Sequence, residues 1–168
     1  NPHNDIEKSV DEIRRNNSNS PEIIILTQDM TDEQIKGLLI QSDVLVAPSR
    51  GEGFGFPIGE AMRLGVPVIT TGWGGQLDFC TKENSWLIDY KFVFSKSHFD
   101  IYHSYWAEPS HKHLCKLLYQ IYSSDKKNLS QRTDRAKKDT DLFTWDSVAE
   151  KNINFVKKDC IQYKPKFF

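Results

Sequence analysis

Residues 44–69 read VLVAPSRGEGFGFPIGEAMRLGVPVI, a line of sequence that holds a strand, a glycine loop, a helix start and a second strand. Residues 44–47 are apolar without alternation, as in a strand covered on both faces of a parallel sheet. Pro48 stops that strand. The loop glycines Gly51, Gly53 and Gly55 allow positive φ and close approach of backbone to a ligand, and Pro57 suits the first turn of the helix that follows. Amides at a helix start lack intrahelical partners and sit at the positive end of the helix dipole, so they attract an anion such as a diphosphate.

Two carboxylates flank this anion site. Glu60 is expected in the first turn of the helix and Glu52 in the loop before it, both facing the crevice at the carboxyl end of the strand, where open α/β sheets bind ligands. Carboxylates do not grip an anionic ligand through charge. They accept hydrogen bonds from hydroxyls, which points to a ribose or a sugar. Phosphate for the amides and hydroxyls for the glutamates together describe a sugar nucleotide.

The glutamate pair with seven residues between, the EGFGFP loop, the EAM helix and the GVPVI strand resemble the carboxy-terminal domain of the retaining GT-B glycosyltransferases of the family 4 type. The likeness continues through TTGWGGQLDF, NSWLIDY and YWAEPS to TWDSVAEKNI and covers nearly the whole chain. It implies an α/β fold with a Rossmann-like parallel sheet and flanking helices, the carboxy-terminal half of a GT-B fold without its first strands. It assigns Glu60 to the ribose of the donor and Glu52 to the transferred sugar, as the catalytic residue. It assigns the loop Gly53, Phe54, Gly55 and Phe56 to the donor sugar, and the helix start at Pro57 and Ile58 to the diphosphate. The nucleobase is expected near Gln28, Asp29 and Met30.

The same resemblance implies a hexosyltransferase-type reaction from a nucleoside diphosphate sugar to a saccharide, lipid-linked or protein acceptor, in polysaccharide or glycoconjugate synthesis, with no metal and no cofactor. Family members hold the phosphates with an arginine and a lysine near the start of this domain. Those have no counterpart here, so the expectation is a truncated single domain over residues 1–168, inactive by itself and lacking its amino-terminal partner domain. Two other readings keep the fold: a non-catalytic sugar-nucleotide-binding or assembly module, and a nucleotide-sugar epimerase.

Composition fits a soluble globular chain. A length of 168 residues, 38% hydrophobic and 27% charged, suits one domain that buries roughly two-thirds of its unfolded surface. No apolar run approaches the roughly 20 residues of a membrane-spanning helix, and no secretory leader is evident, so a cytoplasmic protein is the expectation. Cys80, Cys115 and Cys160 share no short spacing, which favours reduced thiols over disulfides or zinc. His111 and His113, two apart on a helix, point different ways and make a poor metal pair. The chain is acidic in sum to residue 111 and basic beyond it. That asymmetry offers either peripheral contact with a membrane or acidic partner, or a solvated helical face through Lys126, Lys127, Arg132, Arg135, Lys137 and Lys138. The second is favoured, because surface helices are normally charged outward. Aromatics do not interleave with this basic stretch as a nucleic-acid platform requires.

Along the rest of the chain, Ile6, Val10 and Ile13 recur at helical spacing, and residues 23–26 read as a first strand. Thr31 and Gln34 match a capping box ahead of a short helix with Ile35, Leu38 and Leu39 inward. Strands are expected at 43–47, 66–70 and, at an edge, 85–88, with a turn at 72–75 that brings backbone near the donor. Residues 89–107 form an aromatic-rich insertion without regular patterning, rich in rings at Tyr90, Phe92, Phe94, Phe99, Tyr102, Tyr105 and Trp106. A helix then begins at Pro109 and Ser110 with Leu114, Leu117, Leu118 and Ile121 inward, and a second runs from 126 to 140. Residues 141–168 supply a closing helix, beginning near Asp146, and a tail; in the family this helix crosses to the amino-terminal domain.

Overall fold

A computed structural model describes residues 5–95 and 103–157 and falls into two units, Asn1–Ile35 and Lys36–Phe168. Phe99, Tyr102, Cys160 and the tail beyond residue 157 lie outside the described residues. In the first unit, α1 (Ile6–Asn16) starts at Asp5, whose carboxylate accepts the Lys8 amide at 3.0 Å. Of its expected apolar stripe only Val10 is buried, while Ile6 and Ile13 are exposed.

The strand expected at 23–26 does not form. That segment carries no regular structure, and among the described residues Arg14 ties it down by donating to the Ile23 carbonyl at 2.6 Å. An apolar run becomes a strand only when a neighbour completes its ladder and covers it, and Ile24 and Leu26 are exposed. The capping box does form: the Thr31 amide donates to Gln34 Oε1 at 2.8 Å and the Gln34 amide to Thr31 Oγ1 at 3.4 Å. It opens α2 (Asp32–Gln41), which ends in the second unit with Leu39 buried and Leu38 exposed.

The second unit holds a parallel sheet of β1 (Leu45–Ala47), β2 (Val68–Thr71) and β3 (Trp86–Ile88), in that order. Leu45 pairs with Val68 and Ile69 with Trp86, so β2 is central, and every residue of it is buried. Its successive side chains point to opposite faces. Val68 joins Ile58, Ala61 and Met62 of α3 (Phe56–Leu64), Phe79, Cys80 and Ala136 of α5 (Lys126–Thr140) in one core. Ile69 joins Trp86, Ile88, and Leu117 and Ile121 of α4 (His111–Ser123) in the other. Helices thus cover both faces, which is why the strands read as continuous apolar runs. Each fully buried Ile or Met contributes about 1.5–3 kcal/mol.

Helix ends follow their local chemistry. Gly65 closes α3 in the left-handed region at φ 77°, where its amide reaches the Ala61 and Met62 carbonyls. Ser110 caps α4 by accepting the His113 amide, so Pro109 belongs to the preceding strand and not to the helix. Leu117 and Ile121 of α4 are buried while Leu118 is exposed, narrowing the expected stripe. The basic stretch of α5 is more than a solvated face. Arg132 stacks over Trp86 at 4.5 Å and donates to the Ser85 carbonyl at 3.2 Å, and Arg135 pairs with Asp139 at 2.8 Å. The last helix, α6 (Trp145–Phe155), begins one residue earlier than expected, because Thr144 and Ser147 cap it reciprocally; none of its residues is buried.

The described parts of residues 89–107 are more regular than their composition suggests. β4 (Tyr90–Phe94) and β5 (Tyr105–Pro109) pair antiparallel, with Phe92 opposite Ala107 and Phe94 opposite Tyr105. Tyr90, Phe92 and Phe94 recur every second residue, the period of a strand, and the first two rings pack with Trp73. The other face of the hairpin, with Trp106 and Glu108, meets Arg50.

Candidate functional site

The loop after β1 turns into α3 at Gly55, a buried N-cap in the left-handed region at φ 89°. A Cβ at Gly55 would lie 3.2 Å from both Gln76 Cβ and Ile58 Cδ1 and 3.3 Å from Glu52 Cγ, so the bend and the packing both require glycine. Three of the first four positions of α3 carry amides, at Phe56, Ile58 and Gly59; the Gly59 amide donates back to the Gly55 carbonyl at 3.0 Å. Pro57 has no N–H and serves by presetting φ. Ile58 is 1% exposed, so its side chain belongs to the core. Phe56 is exposed.

Glu52 is half-buried. Its carbonyl accepts the Gly75 amide at 2.8 Å, and its Oε2 lies 3.5 Å from Ser49 Oγ, the limit of a hydrogen bond. The turn 72–75 therefore meets the glutamate loop directly. Gln76, which begins the buried side of the short 3-10 turn Gly75–Asp78, anchors that meeting. It is fully buried, and its Nε2 donates to the Thr71 carbonyl at 2.9 Å, the Trp73 carbonyl at 3.0 Å and Thr70 Oγ1 at 3.3 Å. Its Oε1 has no protein partner among the described residues. The turn at 72–75 was legible in its glycines, but nothing in the sequence marks Gln76 as a buried tie between two loops.

Glu60 is the fifth residue of α3 and lies in its second turn, not the first, because the helix starts at Phe56. It is exposed and lines a cavity of about 620 Å³ walled by Phe54, Phe56, Phe143 and Trp145, where Arg63 is the only other charged side chain among the described residues. Phe54 stacks with Phe56, Phe79 and Phe143, at 4.9, 5.2 and 6.3 Å between centroids. Glu52 is not on that wall. Gly53, Phe54 and Gly55 thus share one loop with Glu52, Phe56 opens α3, and Phe54, Phe56 and Glu60 line one cavity. Gln28, Asp29 and Met30 belong to the first unit, where the first two are exposed and Met30 is half-buried.

Arg50, two residues before Glu52, forms a two-pronged bridge with Glu108 of β5, Nε to Oε2 at 2.6 Å and Nη2 to Oε1 at 3.1 Å. The hydrogen bonds hold the Glu108 carboxyl below its ordinary pKa and the Arg50 guanidinium above its own. These two residues escaped the sequence reading because they are 58 positions apart. Burial pushes the Cys80 thiol up to about 12, and its Sγ sits 3.5 Å from Met62 Sδ in the core. Among the described residues, no three His, Cys, Asp or Glu side chains converge to hold a metal ion. His113 Nδ1 takes the Asp89 amide at 2.9 Å, whereas His111 faces Cys115. No described helix is long and apolar enough to cross a membrane.

Residues 4–92, just over half of the chain, match the family of glycosyl transferases group 1. Among solved structures, the chain is similar to the carboxy-terminal domain of the glycosyl transferase group 1 family protein LpcC from Francisella tularensis. The match has a TM-score of 0.63 and 21% identity and covers 83% of this chain. It spans 62% of that structure's length, and at this identity it shows the shared fold. No curated protein matches the chain significantly.

Proposed function

Starting from the chain's membership of the glycosyl transferases group 1 family, we propose that it is the donor-binding part of a retaining glycosyltransferase. Such an enzyme moves a sugar from a nucleoside diphosphate to an acceptor hydroxyl. The observation that carries this reading is the start of α3, where a left-handed Gly55 turns the loop into the helix N-terminus, with Glu52 before it and Glu60 one turn beyond it. The amides and the helix dipole take the diphosphate and stabilise the charge that develops on it as the glycosidic bond breaks. Glu60 accepts the ribose hydroxyls. Glu52, held at its carbonyl by Gly75, lies beside the transferred sugar, and the Gly53–Phe56 backbone completes that pocket.

The test is calorimetric titration of the protein with a panel of nucleoside diphosphates and their sugars, repeated with Glu60→Ala. Loss of a charge-assisted hydrogen bond to ribose should weaken the tightest ligand by about 1.5–3 kcal/mol, roughly 10- to 150-fold. Equal affinity in the two proteins would remove Glu60 from the site.

A further inference from the structure

The loop from Pro48 to Gly55 contains no helix or strand, and a loop of that kind is mobile unless something ties it down. One tie is the Gly75 amide on the Glu52 carbonyl. Phe54, packed on Phe79 and Phe143, is another, and Arg50 is the third. Three consecutive residues of β5 grip it: Glu108 through the two-pronged bridge, Trp106 with its ring centroid 4.7 Å from the guanidinium carbon, and Ala107, whose amide donates to the Arg50 carbonyl at 3.1 Å. Side-chain fork, guanidinium face and backbone are all engaged at one position, so both the direction and the height of the loop are set there.

A basic side chain in the loop before a helix start would ordinarily be assigned to phosphate. Here the Nε and Nη2 donors are committed to a carboxylate that neutralises the charge, and the guanidinium plane lies on an indole. We propose that Arg50 is a positioning residue which, through Glu108 and Trp106, holds the loop that presents Glu52 to the donor sugar. The inference rests on the donor-site reading given above. Both partners are partly exposed, at 52% and 32%, so the bridge adds little to global stability and its effect falls on the geometry of the loop. A lysine cannot replace it, because a point charge neither forks onto two oxygens nor stacks on the ring in the same way.

The test uses the full-length protein with Arg50→Ala, Arg50→Lys, Glu108→Ala and the double Arg50→Ala/Glu108→Ala. Amide hydrogen exchange at residues 51–55 should speed up about tenfold or more in each single variant and no further in the double, with thermal midpoints nearly unchanged. With donor and acceptor supplied, kcat should fall about 10- to 100-fold while donor KM stays within about twofold, since a small misplacement damages the reacting geometry more than ground-state binding. Arg50→Lys should not restore kcat. A rise in KM at constant kcat would make Arg50 a phosphate ligand instead, and additive losses in the double variant or unchanged exchange in the loop would overturn the clamp. Should the unaltered protein bind none of the nucleoside diphosphates or their sugars, the functional reading fails, and the exchange measurements still decide whether the clamp exists.

Discussion

Replacing Gly55 by alanine tests whether the bend into α3 is as constrained as its geometry says. Its φ of 89° costs an L-residue about 1–2 kcal/mol by itself. The new methyl would also sit 3.2–3.3 Å from Gln76 Cβ, Ile58 Cδ1 and Glu52 Cγ, in a buried position where three neighbours must give way together. Overpacking of that kind costs about 1–3 kcal/mol. Gly55→Ala should therefore destabilise by about 2–5 kcal/mol in urea unfolding, with the slope against denaturant unchanged. Gly59→Ala, in the body of the same helix, is the matched contrast. Its methyl would meet only Phe79, at 3.7 Å, an ordinary contact, and removal of a glycine from a helix stabilises by about 0.5–1 kcal/mol. Opposite signs at two positions of one helix are the expected result. Equal effects, or a loss below about 0.5 kcal/mol at Gly55, would refute the reasoning.

Two further outcomes follow from titrating groups. The Cys80 thiol, pushed to about 12 by burial, should be alkylated at least about 100-fold more slowly than exposed Cys115 in the native protein, followed residue by residue by mass spectrometry; equal rates would mean that the core opens there. Because Arg50 lowers the Glu108 carboxyl below its ordinary 4.5, the stability contributed by the bridge is complete above that value and is lost as pH falls through the lowered one. The difference in unfolding free energy between the unaltered protein and Glu108→Gln should thus stay level from neutral pH to about pH 5 and shrink below it, and a difference that grows in acid would contradict the pairing.

The parts of the fold written in local pattern were legible in the sequence: the apolar runs of β1, β2 and β3, the capping box at Thr31, the glycine stop at Gly65 and the helices of the second half. Residues 23–26 misled because an apolar run states only that burial is wanted, while a strand also needs a partner edge. The strands β4 and β5 are masked in the sequence by their aromatic content, although Tyr90, Phe92 and Phe94 carry the period of two. Pro57 does lie in the first turn, but Glu60, expected there too, falls just past it because the helix starts at Phe56. The loop ties could not be read at all. Arg50 with Glu108, and Arg132 with Trp86, join positions far apart in sequence, and Gln76 looks from sequence like any polar turn residue.

The central claim is that the start of α3 receives the diphosphate of a sugar nucleotide, and backbone amide shifts report on it most directly. In nitrogen-15 spectra of the protein titrated with nucleoside diphosphates, the amides of Gly53, Gly55, Phe56 and Ile58 should shift with one common saturation curve for the preferred nucleotide. Inorganic sulfate at the same concentration should move them far less. Saturating shifts that leave these four amides still while moving others, or no shift with any nucleotide of the panel, would contradict the account.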